Sequence, residues 1–127
     1  MNDRESTEGE HMRMVGQLEK DPAEVIKTLN PKMMSLIHMA MGVSGEAGEL
    51  LDAIKKYAIY NKELDIDNVI EELGDLEFYM EGLRRRLGIS RELTLHRNIN
   101  KLLTGDNARY KTGSYSNEQA QDRRDKE

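Results

Sequence analysis

Two pairs of acidic residues stand out because their types and spacing suit the binding of a hard metal ion. Glu46 and Glu49 lie in the segment GEAGEL, and Glu72 and Asp75 lie in EELGDL. Within each pair the residues are three positions apart, so both carboxylates lie on the same side of a helix. Four ionised carboxylates close together repel one another, and a divalent cation removes that cost. Oxygen ligands in a chain without cysteine favour Mg²⁺, with Mn²⁺ as a substitute.

Helices must position these acids, since apolar residues recur at helical spacing and strand-type alternation does not persist. The first acidic pair falls in a long predicted helix that runs to about Ala58, and the second in a helix that ends near Gly88. A further helix is broken by the segment TGDN at 104–107. The predicted helix starts carry N-cap residues, two of them followed by proline: Asp21-Pro22, Asn30-Pro31, Asp65 or Asp67, and Ser90.

The helical wheel predicts how the two pairs meet. At about 100° per residue, Glu46 and Glu49 lie about 90° and 150° from the centre of their helix's apolar stripe. Glu72 and Asp75 lie about 70° and 130° from theirs, in the same rotational sense. Because the link between the helices is short, we expect antiparallel neighbours, and then all four carboxylates fall on one rim. The alternative is that they are ordinary surface acids of amphipathic helices.

Composition bounds the class of protein. The chain has 127 residues, 37% hydrophobic and 34% charged, which predicts one domain with loose tails, a core shared between subunits, or both. The helical periodicity described above makes this domain all-α, and a shared core would mean that its antiparallel helical bundle is completed by oligomerisation. The net charge of −5 argues against general affinity for nucleic acid. The sequence has no apolar run of membrane-spanning length and no signal-peptide pattern at its N-terminus, so we expect a cytoplasmic protein without a membrane partner. We expect a flexible segment over 1–19, with residues 1–12 disordered, and a polar tail or docked helix over 117–127.

Three other side chains have two interpretations each. His38, two turns before Glu46, is either a packing histidine or a contact to a nucleotide base. Lys56 follows the first acidic pair and either reaches a phosphate or pairs with an acid. Tyr110 either stacks on a base or packs at the surface.

The acidic motif and its surroundings resemble the all-α NTP pyrophosphatases, in particular the short single-domain MazG-like proteins of phages and bacteria. The resemblance covers roughly residues 20–125, with 20–116 as the catalytic domain. It includes the flanking text LIHMAMGVSGEAGELLDAIKK and NVIEELGDLEFYMEGLR. The residues that carry it are the two acidic pairs and a later segment: Glu46-x-x-Glu49, Glu72-x-x-Asp75, Asn98-x-x-Lys101-Leu and Arg109-Tyr110.

The resemblance implies a helical homodimer, or dimer of dimers, that hydrolyses nucleoside triphosphates to monophosphates and pyrophosphate. We expect deoxynucleotides such as dGTP or dATP as substrates, and the host cytoplasm as the location if the chain is phage-encoded. The resemblance implies that the four acids hold the metal. Independently of the family, a carboxylate not fully used in ligation could accept the proton of the attacking water, and we expect this to be Glu49 or Glu46. The residues expected to contact the substrate are Lys101 and Arg109 on phosphates and Asn98 and Tyr110 on the nucleotide. Lys56 would contact a phosphate and His38 the base, if the substrate-binding interpretation of each applies.

Other functions fit the same pattern. The scaffold also suits a dUTP or dCTP diphosphatase, a phosphoribosyl-ATP pyrophosphatase or a hydrolase of ppGpp. A function of a different class is a non-catalytic helical dimer that acts as a regulator, in which the acids bind no metal. A di-iron protein would need Glu-x-x-His motifs, which neither acidic pair has.

Overall fold

The computed structural model describes residues 4–126, and all the regular structure within that range is helical. This confirms the predicted all-α class. The α-helices are α1 (Thr7–Leu18), α2 (Pro22–Thr28), α3 (Pro31–Ala58), α4 (Ile66–Leu87), α5 (Arg91–Ile99) and α6 (Asn117–Asp122). A π-helical turn, Asn100–Thr104, continues α5, and a 3₁₀ turn, Arg124–Lys126, follows α6.

The helix starts follow the capping chemistry of the sequence. The Asp21 carboxylate accepts a hydrogen bond from the Ala23 amide at 2.9 Å, and the Ser90 hydroxyl accepts one from the Leu93 amide at 3.0 Å. Of the two candidate caps for α4, Asp65 is the N-cap, since its carboxylate accepts a hydrogen bond from the Asn68 amide at 3.0 Å. Gly88 ends α4 in the left-handed region, with φ 66°, which glycine adopts without a steric penalty.

One expectation about the N-terminus is wrong. Residues 7–12 were expected to be disordered, and they form the first part of α1, whereas residues 1–3 lie outside the described range. The cause is local capping: the Ser6 hydroxyl accepts a hydrogen bond from the Gly9 amide at 3.1 Å, and Glu8 and Glu10 lie in the positive first turn. At the other end, the docked-helix alternative applies, because α6 forms over Asn117–Asp122.

The chain divides into two compact units between Met34 and Ser35, inside α3. The first unit holds α1, α2 and the first turn of α3. The second unit holds the rest of α3 and everything that follows it, including both acidic pairs.

In the second unit, α3 and α4 pack as an antiparallel hairpin. The Arg86 guanidinium donates to the Ser35 hydroxyl at 2.9 Å. Further along, Gly82 lies against the Met39 side chain, so closely that a β-carbon there would collide with it. Likewise, the ring of Tyr79 lies so close to Gly42 that a β-carbon on this glycine would collide with it. Since numbers rise along α3 as they fall along α4, the predicted antiparallel arrangement is confirmed.

Few side chains of the described chain are buried. Ala53 and Ala108, at 7% and 1% exposure, are its buried apolar residues. On α3, by contrast, Met41 is 68% exposed and Leu51 66%. No helix in residues 4–126 combines the length and the apolar character that crossing a membrane requires.

Candidate metal centre

Three of the four predicted ligands meet on the rim between α3 and α4. Carboxylate oxygens of Glu46, Glu72 and Asp75 all lie within 4.8 Å of one another. Glu46 comes from α3, and the other two come from α4, one helical turn apart. Glu46 and Glu72 are half-buried, and Asp75 is exposed. The antiparallel hairpin brings these side chains together, but its packing differs from the predicted contact between apolar stripes. The helices meet through the side of α3 that carries Met39, Gly42 and Glu46. In the predicted stripes, Leu51 and Ile70 are 66% and 61% exposed.

The electrostatics of the cluster centre on Glu72. The neighbouring Glu46 carboxyl raises the pKa of Glu72 to about 7, because one proton shared between two carboxylates is more favourable than two negative charges. Partial burial adds to the increase, as do the charges of Glu46, Glu49 and Asp75. The Oε2 atom of Glu72 is buried and has no hydrogen-bond partner among the described residues. A buried carboxylate oxygen without a donor is costly, and a cation is one of the few partners that suits it.

The fourth acid, Glu49, lies outside this three-oxygen group. It is exposed, yet its charge still contributes to the raised pKa of Glu72. It is therefore near the cluster without sharing its closest oxygen contacts. Lys56, for which a phosphate contact is one interpretation, forms an ion pair with the Asp52 carboxylate at 3.0 Å. This pairing raises the pKa of Lys56.

The cluster fits a hard divalent cation. Glu46, Glu72 and Asp75 would supply carboxylate oxygens, which are the ligands that such a cation prefers. Glu72 Oε2 has no competing protein donor among the described residues, and Asp75 is accessible from outside. The identity of the metal remains a prediction from the chemistry of the ligands.

The space beside the acids is open. A β-carbon built on Gly48 or Gly74 would meet no described atom within 4 Å. A close contact between α3 and α4 is therefore not the reason for these two glycines, in contrast to Gly42 and Gly82. This space is open to a ligand or to a second protein chain.

The predicted substrate residues of the C-terminal region are arranged separately. No hydrogen bond or ion pair within residues 4–126 joins the acid cluster to Asn98, Lys101, Arg109 or Tyr110. Lys101, in the π-helical turn, is half-buried and lines a cavity of about 320 Å³ with Asn100 and Arg97.

Arg109 has a partner that the sequence did not suggest. Its guanidinium donates from Nε to Oδ1 of Asp125 at 2.8 Å and from Nη2 to Oδ2 at 3.2 Å. Asp125 lies in a charged C-terminal run, RRDKE, that gives no signal of such a pairing. The ion pair lowers the pKa of Asp125 to about 2.

The sequence reasoning also missed Tyr79. This residue lies one helical turn beyond Asp75 on α4, and its ring covers Gly42 on α3. The His38 ring lies 6.4 Å from it, centroid to centroid. The signal that was available is the spacing of four between Asp75 and Tyr79, which places both side chains on one side of α4.

Comparison with known proteins gives one match. The family model described as the MazG nucleotide pyrophosphohydrolase domain matches residues 34–109. The matched range contains both acidic pairs and ends at Arg109. No curated protein and no solved structure matches the chain.

Proposed function

The chain belongs to the MazG nucleotide pyrophosphohydrolase family, and we propose that it hydrolyses nucleoside triphosphates to monophosphates and pyrophosphate with Mg²⁺ bound at the acid cluster. Mn²⁺ would substitute for Mg²⁺, and the substrates would be deoxynucleotides such as dGTP or dATP. The observation that carries the proposal is the meeting of three carboxylates across the α3–α4 hairpin, with one buried Glu72 oxygen lacking a protein partner among the described residues.

The roles of the acids follow from their positions. Glu46, Glu72 and Asp75 would hold the ion. When bound, Mg²⁺ would offset the charge of the triphosphate and lower the pKa of a coordinated water. Glu49, which is exposed and outside the three-oxygen group, has a carboxylate free to accept a proton from that water. This position favours Glu49 over Glu46 as the general base.

Other side chains would place the substrate. His38 and Tyr79 lie beyond the acids along the same hairpin, and we propose His38 as a contact to the base. Lys101 and Arg109 would contact phosphates, and Asn98 and Tyr110 the nucleotide. Lys56 would reach a phosphate only by leaving Asp52, so we assign it a lesser part.

We further propose that the protein is a homodimer or a dimer of dimers. Helix α3 is apolar on two sides: one faces α4, and the other carries the exposed residues Ile37, Met41 and Leu51. On α4, Ile66 and Ile70 are also exposed, at 54% and 61%. A second copy would remove this apolar surface from water, which favours association by roughly 25 cal/mol per Å². The same copy would fill the open space beside Gly48.

The activity is tested by measuring pyrophosphate and monophosphate released from all eight common dNTPs and NTPs, with Mg²⁺ and with EDTA. We expect metal-dependent release from one or a few deoxynucleotides. Release of a nucleoside diphosphate and inorganic phosphate would refute cleavage between the α and β phosphates. No release from any, in a folded protein, would refute the substrate class, and ppGpp and phosphoribosyl-ATP would be the next compounds to assay.

The assembly is tested by light scattering after size-exclusion chromatography. We expect the wild-type protein to be a dimer or tetramer and Met41→Glu to shift it toward the monomer. The matched control is Phe78→Glu, which changes a similarly exposed apolar residue (66%) on α4, away from the outer face of α3. A monomeric wild-type protein would refute the assembly, and equal effects of both substitutions would refute the assigned face.

A further inference from the structure

We propose that Asp125 is a positioning residue that holds the Arg109 guanidinium in a fixed orientation, with its remaining N–H groups directed at the phosphates of the substrate. This inference rests on the proposed function, because it assigns Arg109 to phosphate binding. It adds to that function a residue outside the matched family range, which ends at position 109.

The geometry of the pair defines which donors are free. Asp125 occupies one edge of the guanidinium, through Nε and Nη2. Arginine has five N–H donors in a planar fork, so this pairing uses two and leaves those of Nη1 and one of Nη2. The free donors are adjacent and lie in the same plane, which is the arrangement that binds two phosphate oxygens together.

Burial shows that the pair is a built feature and not a surface ion pair. The side chain of Asp125 is 2% exposed and that of Arg109 is 17% exposed. The other ion pairs within the described residues have at least one partner that is about half exposed. A surface pair gives little orientation because both side chains move, whereas a buried bidentate pair fixes the guanidinium plane.

The backbone on both sides of the pair is also held. The Arg109 amide donates to the Lys101 carbonyl at 3.0 Å, and the Tyr110 amide donates to the Leu102 carbonyl at 2.9 Å. Ala108 beside them is the most buried residue of the described chain. Arg109 is therefore anchored to the π-helical turn that carries Lys101, and its side chain is the remaining part to be oriented.

The C-terminal segment supplies that orientation. The Ser116 hydroxyl caps α6 by accepting from the Gln119 amide at 3.1 Å, and it lies 2.8 Å from the Gln119 side-chain nitrogen. After α6, Arg123 adopts the left-handed region with φ 51°, which turns the chain so that Asp125 follows at the guanidinium. A guanidinium already oriented loses less conformational entropy when a phosphate binds than a mobile one does.

The test compares kcat/KM of Asp125→Asn with that of Asp122→Asn, in which an exposed acid of the same segment is neutralised. We expect a loss of roughly tenfold or more for Asp125→Asn, and little change for Asp122→Asn. Asp125→Glu, which keeps the carboxylate, should recover part of the loss. In an Arg109→Ala background, Asp125→Asn should cause no further loss, because the residue acts through Arg109.

A second control separates orientation from simple loss of structure. Ser116→Ala removes the cap of α6 but keeps the Asp125 carboxylate, so it weakens the segment without removing the partner of the guanidinium. All variants are compared well below their melting temperatures. Loss of kcat/KM in Ser116→Ala equal to that in Asp125→Asn, at equal loss of stability, would overturn the inference. Unchanged or higher activity in Asp125→Asn would also overturn it.

Binding of inorganic pyrophosphate, measured by calorimetry in Mg²⁺, distinguishes this inference from the proposed reaction. We expect Asp125→Asn to bind pyrophosphate more weakly than the wild type and Asp122→Asn to bind it equally. If Asp125→Asn alone binds pyrophosphate more weakly but no triphosphate is hydrolysed, the proposed reaction is refuted and the positioning role of Asp125 stands. Equal binding by Asp125→Asn, or no binding by the wild type, would overturn the positioning role whether or not the protein is a hydrolase.

Discussion

Binding of Mg²⁺ at the acid cluster should release a proton, in an amount set by pH. In the absence of metal the pKa of Glu72 is raised to about 7, chiefly by the Glu46 carboxyl beside it. A cation favours the ionised form, so the proton held between these two residues must leave when the ion binds. With a pKa of about 7, the release should be about 0.9 proton per ion at pH 6, about 0.5 at pH 7 and about 0.1 at pH 8.

The assay is isothermal titration of the protein with MgCl₂ in two buffers of different ionisation enthalpy at each pH, since the difference in heat gives the protons released. The affinity for Mg²⁺ should fall up to about tenfold per pH unit below pH 7 and level off above it. Glu72→Gln should remove the pH dependence and weaken Mg²⁺ binding. Glu71→Gln, on the exposed side of α4, should keep the affinity and the pH dependence of the wild type. Binding of Mg²⁺ at pH 6 without proton release would refute the assignment of Glu72 as a ligand.

The remaining predictions concern the pH dependence of stability, the glycines of α3 and the role of Glu71. In EDTA, the free energy of unfolding in urea should fall as pH rises from about 4.5 to about 7, because the raised pKa of Glu72 makes the folded state bind more protons than the unfolded state in this window. Glu72→Gln should flatten this pH dependence. An equally steep dependence in that variant would contradict the raised pKa of Glu72. Gly42→Ala should lower the free energy of unfolding by up to about 2 kcal/mol, since overpacking against Tyr79 costs about 1–3 kcal/mol and better helix propensity returns about 1 kcal/mol. Gly48→Ala, measured alongside by urea denaturation, meets open space in the chain and should not destabilise the hairpin, so a matching loss would locate a partner chain there. Glu71→Gln should leave kcat nearly unchanged, and a large loss would mean that the acid rim includes it.

The hairpin and its acids could be predicted from the sequence because they depend on local rules. Caps and prolines define where α3 and α4 begin, and the helical wheel places each acidic pair on one side. A short link makes the helices antiparallel, and this pairing brings Glu46 next to Glu72 and Asp75. The face through which the helices meet was not predicted, because it is not the most apolar side of either helix. Each step uses residues close together in the sequence, apart from the final pairing of the two helices.

The features that the sequence did not predict depend on single tertiary contacts or on weak local signals. Helix α1 was missed because its polar composition suggests disorder, although Ser6 supplies a cap. The pairing of Arg109 with Asp125 joins residues 16 positions apart through a turn at Arg123, and no pattern of spacing specifies it. Glu49 lies outside the three-oxygen group, although the wheel places it on the same side of α3 as Glu46.

The most direct test of the account is pyrophosphate release by the wild-type protein and by Glu72→Gln, each with Mg²⁺ and with EDTA. Glutamine keeps the size of the side chain and removes the ligand charge, so circular dichroism should show the same helix content. We predict release by the wild type in Mg²⁺ only, and a loss in kcat of at least about 100-fold in Glu72→Gln, equivalent to about 2.7 kcal/mol of transition-state stabilisation. A normal kcat in Glu72→Gln, or release by the wild type that persists in EDTA, would contradict the assignment of this cluster as the catalytic metal site.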